Sequence, residues 1–286
     1  MLNAQPYWFI MCIFVGSMTA KQLRFWNRIV AAEVFTVALL TFGLTVEPTA
    51  SFWDAGEYIA TSAKLQVGHP PGAPFFQMMG AFFALFASGP EKIALMVNLM
   101  SVFSSAFTVL FLYLSLTLLL RKLPAFSEIT NEKEAIGYLG SAAVGALAFC
   151  FSDSFWFNAV EAEVYAMATC ILSALFWMAL RWENEMNTPR GDRWLLLIAF
   201  VIGLSFGVHF MGLLTIPAIG MLYFFKNTEK VTFKNFVVAN IVSVAILLFI
   251  FKLLLPSTLA LFSKMEVFFV NQVNLPFNSG TIITGI

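Results

Sequence analysis

"GHPPGAPFFQMMGAFFALFASGP", residues 68–90, decides the topology of this chain. Its apolar run from Phe75 to Ala87 is shorter than the ~20 residues that carry a helix across a bilayer. Pro70, Pro71 and Pro74 stand before it and Ser88-Gly89-Pro90 ends it, so the run is punctuated at both ends. We read it as a helix lying in the membrane interface or dipping into it. Everything between the spans on either side of it then belongs to one long loop.

The rest of the chain supplies those spans. Of 286 residues, 60% are hydrophobic, 33 are Phe and only 11% are charged. A soluble domain of this length needs a polar skin that such a composition does not supply. The class is therefore an all-α polytopic membrane protein. Spans are expected at residues 29–46, 93–120, 136–151, 164–180, 194–208, 210–225 and 236–255. Several are short, which is tolerated where helices line a protein cavity. The net charge of zero gives no general attraction to nucleic acid. Cys12, Cys150 and Cys170 are far apart in apolar segments, and read as small buried hydrophobes rather than a metal site.

Two domains of unequal weight are expected. Residues 1–20 hold a short apolar stretch followed by Lys21, Arg24 and Arg28. They are either an interfacial segment or an extension upstream of a chain that starts at Met18. Residues 21–286 form the transmembrane domain.

Basic residues orient the spans. Only Lys64, Lys92 and Lys264 of the 16 fall on the outer side, with Lys252 inside a span. This holds only if the 75–87 helix does not cross and residues 194–225 cross twice. Glu47, Asp54, Glu57, Glu91, Asp153, Glu161, Glu163, Glu266 and both histidines then share the outer face.

Within that acidic face, "FWDAGEYIA" places Asp54 and Glu57 three residues apart. On a helix starting near Asp54 both carboxylates share one face. A second reading makes Asp54 an N-cap bonded to the backbone N–H of Glu57. A carboxylate near apolar surface, beside another, should hold its proton more tightly, which suits a general base acting on a hydroxyl. His69, in a proline-fixed turn, either meets a phosphate or is a solvated loop histidine. In "SDSFWFNAVEAEVYAM", residues 152–167, Glu161 and Tyr165 are spaced to share a helix face while Glu163 points elsewhere. Phe155, Trp156 and Phe157 form an interfacial belt. His209 sits between two apolar runs among Gly203, Gly207 and Gly212. It is either a packed histidine or a contact for a lipid phosphate. Asn278 in "LPFNSG" either binds substrate or simply turns the chain.

Two chemistries fit an acidic pocket fed from the membrane. One is group transfer from a lipid-linked donor to an acceptor hydroxyl. The other is proton- or ion-coupled transport, including flipping of a lipid-linked sugar. Carboxylates at span ends rather than mid-span favour the first. A scaffold without chemistry leaves the paired carboxylates unexplained.

The stretches "LTVEPTASFWDAGEYIATSAKLQVGHPPGAPFF", "FSDSFWFNAVEAEVYAM", "GLSFGVHFMGLL" and "LPFNSG" resemble the GT-C glycosyltransferases. More narrowly, they are similar to the bacterial relatives of the protein O-mannosyltransferase transmembrane protein 260, a family long described only as a domain of unknown function. The resemblance covers residue 21 to the C-terminus. It implies a GT-C-like helical bundle with interfacial helices in its first outer loop, in a bacterial inner membrane. It implies transfer of a mannose-like sugar from a polyprenyl-phosphate donor to protein Ser or Thr hydroxyls on the periplasmic or lumenal face. The family's first-loop catalytic carboxylate maps onto Asp54, with Glu57 as helper; both would be the ligands if a divalent metal is used. Glu161, Glu163, Tyr165, His69, His209, Lys64 and Asn278 are the expected substrate contacts. Inverting single displacement follows if the donor is β-linked. Family members usually have more spans, so this chain is expected to be the N-terminal part of a longer protein.

Overall fold

The computed structural model describes residues 17–286; the expectations for residues 1–16 lie outside them. Every regular element among the described residues is a helix, and the β feature is an isolated bridge between Ser17 and Asn131. The chain divides between Gly212 and Leu213 into two compact units.

In the first unit, α1 (Ala20–Leu44) opens with a capping box: Thr19 accepts from the Gln22 backbone while the Gln22 side chain accepts from Thr19. This cap starts the helix well before residue 29, so Lys21, Arg24 and Arg28 lie on it. After a loop come α2 (Ala55–Lys64) and α3 (Pro74–Ala84). The long α4 (Ile93–Leu120) follows, then α5 (Glu132–Cys150), α6 (Asp153–Ala159), α7 (Val164–Glu185) and α8 (Gly191–Ser205). One core cluster joins α1, α4, α5 and α6 through Phe42, Val109, Tyr113, Ala142 and Phe155. A second packs α2, α3 and α7 on α4 through Tyr58, Phe76, Met100 and Met167. Two inward-facing tyrosines are partnered across helices: the Tyr113 hydroxyl donates to Asn27 at 2.8 Å and that of Tyr138 to the Thr117 carbonyl at 2.9 Å.

α3 has 11 residues, too few to cross, as the bounding prolines and glycine suggest. Its start is seated on another part of the chain: the Phe75 and Phe76 N–H groups donate to the Gly207 carbonyl at 2.7 and 3.1 Å. Gly207 is needed for that approach, because a Cβ there would lie 2.7 Å from the Phe75 Cβ. Gly207→Ala should therefore destabilise the first unit by about 1–3 kcal/mol, read as a lower thermal midpoint in detergent. An unchanged midpoint would show that the α3 seat yields without cost. Gly203, by contrast, has open space around it.

The second unit contains a 3₁₀ turn (Phe210–Leu214 straddles its start), α9 (Thr215–Asn227), α10 (Phe233–Phe249), α11 (Leu255–Asn271) and α12 (Ser279–Gly285). A π turn, Ile250–Leu254, joins α10 to α11 without a break. Pro256 lacks an N–H and would clash with the carbonyl four residues back in a regular helix; the wider turn just before it absorbs both problems. This is why the helix does not stop at residue 255.

Among the described residues, five helical stretches are long and apolar enough to cross a membrane, or six if the α5–α6 pair, bent by 70°, counts as one. The expected count of seven is corrected at α8. Its 15 residues span only ~22 Å, since the chain breaks into turns at Phe206 and Gly207 where α3 is seated. The all-α polytopic class stands. Val238, Ile241, Leu248 and Phe249 are exposed on α10, as expected of a lipid-facing helix.

Candidate functional site

The loop between α1 and α2 is built like a bracket. Asn98, fully buried on α4, donates to the carbonyls of Glu47 and Thr49 at 2.7 and 2.9 Å. The Glu47 N–H donates to the Val160 carbonyl at 3.0 Å, and the Trp156 indole to the Thr45 hydroxyl at 2.9 Å. These bonds tie the first loop to the segment after α6. Trp53 then takes φ = 59°, a left-handed conformation costly for a bulky residue. The reversal delivers the chain into α2 at Asp54.

Asp54 is the N-terminal boundary residue of α2, yet its side chain makes no capping bond. Its carboxylate is left for other work, so capping does not account for it. The α2 helix sets Asp54 and Glu57 on a common face, and His69 closes over them. The His69 N–H donates to Glu57 Oε1 at 2.6 Å, and its Nδ1 lies 3.1 Å from Glu57 Oε2. Its Nε2 is 3.9 Å from Asp54 Oδ2. The backbone hydrogen bond from His69, then its ring, hold the Glu57 carboxyl below its usual pKa. Ligand atoms from Asp54, Glu57 and His69 lie within 4.8 Å of one another. Two carboxylates and an imidazole at that spacing match the donor set of a divalent cation.

The turn that brings His69 back depends on Gln77, a buried residue of α3. With its amide oriented to satisfy both ends, it donates to the Gln66 carbonyl at 3.2 Å and accepts from the Gly68 N–H at 3.0 Å. Gly68 fits because a Cβ there would meet Gln77 at 2.9 Å and Glu57 at 3.1 Å.

On the other side of Asp54 lies a cleft of about 290 Å³, lined by Trp53, Asp54, Phe157, Asn158, Glu161, Glu163 and Tyr165. Glu161 and Glu163 precede α7 in an irregular segment. The helical spacing expected for Glu161 and Tyr165 therefore does not apply, and Glu163 does not point elsewhere: its extended backbone (φ −115°, ψ 147°) turns it to the same cleft. Glu161 accepts a short hydrogen bond from the Ser51 hydroxyl. Burial raises its pKa, the Ser51 bond opposes that, and Glu47 adds to it. Glu163 is only 6% exposed. Burial, then the charges of Asp54 and Glu161, push its carboxyl up to about 7, while the Asp54 and Val164 backbones pull the other way. Tyr58, buried beneath the cluster, is pushed up to about 12 by burial first and by Glu163, Asp54 and Glu57. His69 packs against Tyr58 with ring centroids 5.8 Å apart.

The structure thus brings together Asp54, Glu57 and His69, and places Glu161, Glu163 and Tyr165 across the cleft from Asp54. His209 joins this group through Tyr165, with rings 5.5 Å apart, and burial lowers its pKa. Lys64 is exposed at the far end of α2; among the described residues no ion pair links it to the carboxylates. Asn278 belongs to the second unit, where its N–H donates to Glu266 at 2.6 Å. Sequence reasoning passed over Asn98, Gln77 and Ser51. The signal for Asn98 and Gln77 was a lone amide inside an apolar helix, a costly placement that requires partners.

Comparison with known proteins bears on these residues. The family model described as the protein O-mannosyl-transferase TMEM260 N-terminal domain matches residues 54–232. A protein O-mannosyl-transferase tmem260 of Dictyostelium discoideum is 26% identical over 209 residues, covering 69% of this chain and 23% of that protein. A mouse protein O-mannosyl-transferase TMEM260 is 27% identical over 179 residues, covering 61% of this chain and 22% of its own length. The chain therefore spans less than a quarter of these relatives. No solved structure matches it. The family model starts at Asp54 and takes in both carboxylate clusters and His209, over more than half of the chain. The chain belongs to the protein O-mannosyl-transferase TMEM260 N-terminal domain family.

Proposed function

We propose that this chain carries the catalytic loop of a membrane glycosyltransferase that moves a mannose-like sugar from a polyprenyl-phosphate donor to Ser or Thr hydroxyls of proteins. The observation that carries the reading is the Asp54 carboxylate. It is freed from helix capping, set at the mouth of a cleft and flanked by His69 and Glu57. The names of the two relatives support the sugar and the protein acceptor. The donor and the periplasmic or lumenal placement rest on the resemblance.

In this reading Asp54 takes the proton of the acceptor hydroxyl. The hydroxyl oxygen forms a bond to the anomeric carbon as the bond from that carbon to the lipid phosphate breaks, and the phosphate leaves as an anion. Glu57 and His69 keep Asp54 facing the acceptor. Glu161, Glu163 and Tyr165 bind sugar or acceptor hydroxyls in the cleft, and His209 lies close enough to Tyr165 to meet the lipid phosphate. Lys64 would be a peripheral phosphate contact, and Asn278 a substrate contact within the second unit taken by itself. A divalent metal, where used, would be held by Asp54, Glu57 and His69 and would supply charge stabilisation to the departing phosphate.

The test is transfer of radiolabelled mannose from a synthetic polyprenyl-phosphate donor by the full-length protein in proteoliposomes. Label recovered on acceptor protein supports the transferase. Label that crosses into the vesicle lumen still attached to lipid, with none on protein, would replace it with a flippase.

A further inference from the structure

We propose that a three-arginine cleft at the α7–α8 turn binds the headgroup of an anionic phospholipid. The cleft holds about 320 Å³ and is lined by Arg181, Glu185, Arg190, Arg193, Trp194 and Leu197. The 22 residues of α7 separate it from the acidic cleft by ~33 Å, about the thickness of a bilayer core. It therefore stands apart from the transferase reading, at the opposite end of the same helix.

Its charges are unevenly matched. Glu185 is its one lining carboxylate, and that group is already engaged: Arg181 Nη2 lies 3.5 Å from Oε1, and the Trp194 indole donates to Oε2 at 3.3 Å. The Arg181 guanidinium also lies over the Trp194 ring, 5.7 Å from its centre, which holds it in place at the cleft wall. The neighbouring Glu183 is tied to Lys122. Asp192 is exposed between the two remaining arginines and does not line the cleft. Arg190 and Arg193 thus face the cleft with no carboxylate partner among the described residues. Guanidinium groups suit a phosphodiester because their donors match its oxygens in pairs and they shed water readily.

What selects a lipid over a free anion is the surface beside the cleft. Leu195, Leu196, Leu197 and Phe200 are all exposed on the first turns of α8. Leu197 lines the cleft beside Trp194 and shares a helix face with Leu196 and Phe200, an apolar strip on which acyl chains can lie while the phosphate sits among the arginines. Basic pockets at the ends of spans are the places where anionic headgroups collect.

The experiment uses the full chain, purified in a zwitterionic detergent and supplemented with phosphatidylglycerol, phosphatidylcholine or inorganic phosphate. Thermal midpoint is read against added ligand. Phosphatidylglycerol should raise the midpoint at concentrations where phosphatidylcholine and phosphate do not. The apparent affinity should fall roughly tenfold or more in Arg190→Gln/Arg193→Gln. Both side chains are exposed, so the fold should survive, and Arg190→Lys/Arg193→Lys should retain part of the effect. Lys226→Gln/Lys230→Gln, changed in another basic loop, should bind like the parent. Equal protection by both lipids, equal protection by phosphate, or equal loss in the Lys226→Gln/Lys230→Gln variant would overturn the proposal.

Discussion

Asp54→Asn in the full-length protein is expected to lower the rate of sugar transfer by about 10²–10⁴-fold, the range typical of a lost general base. The amide has the size of the carboxylate but cannot take a proton. Because the Asp54 side chain makes no capping bond and is more than half exposed, the variant should fold as the parent does. Donor KM should change little, since the cleft keeps Glu161, Glu163 and Tyr165. Loss of kcat with an unchanged thermal midpoint is the expected pair of results. A variant that transfers at the parental rate would remove Asp54 from the chemistry and leave the cleft as a binding site only.

The second large effect belongs to stability. Glu163 is buried and its carboxyl is pushed from 4.5 to about 7, chiefly by burial and then by Asp54 and Glu161. The groups that face it are Asp54 from the start of α2, Tyr58 within α2, and Glu161 beside it. A raised folded pKa means the folded protein holds this proton more tightly than the unfolded chain does. The resulting stabilisation is complete below about pH 4.5 and disappears as pH rises through about 7. Across that window the change for this one group is on the order of 3 kcal/mol. The Glu163 contribution to the thermal midpoint should therefore fall between pH 5 and pH 8. Glu163→Gln keeps the shape and removes the proton equilibrium, so its midpoint should vary less with pH and exceed that of the parent at pH 8. Matching slopes in parent and variant would show that the carboxyl is solvated well enough to ionise without cost.

Features that follow from local pattern are legible in the residues alone. A continuous excess of apolar residues demands helices, because only they satisfy their own backbone in lipid. Prolines and a glycine bounding residues 75–87 make a short helix that does not cross. A three-residue spacing puts Asp54 and Glu57 on one helix face. Local pattern fails where chain geometry is irregular. Helical spacing does not hold for Glu161 and Glu163, because they precede α7 in an irregular segment that sends both to one cleft. Pro256 should stop a helix, but a π turn absorbs it.

The membrane class, the non-crossing α3 and the carboxylate pair each depend on residues within a few positions of one another, so reading along the chain suffices for them. Three other features exist only once distant segments pack. His69 returns to Glu57, Asn98 braces the loop 51 residues away, and Arg181 meets Trp194 beside two unpaired guanidiniums. Those meetings are set by packing and by the need of buried polar groups for partners. No periodicity along the chain encodes which distant partner satisfies that need.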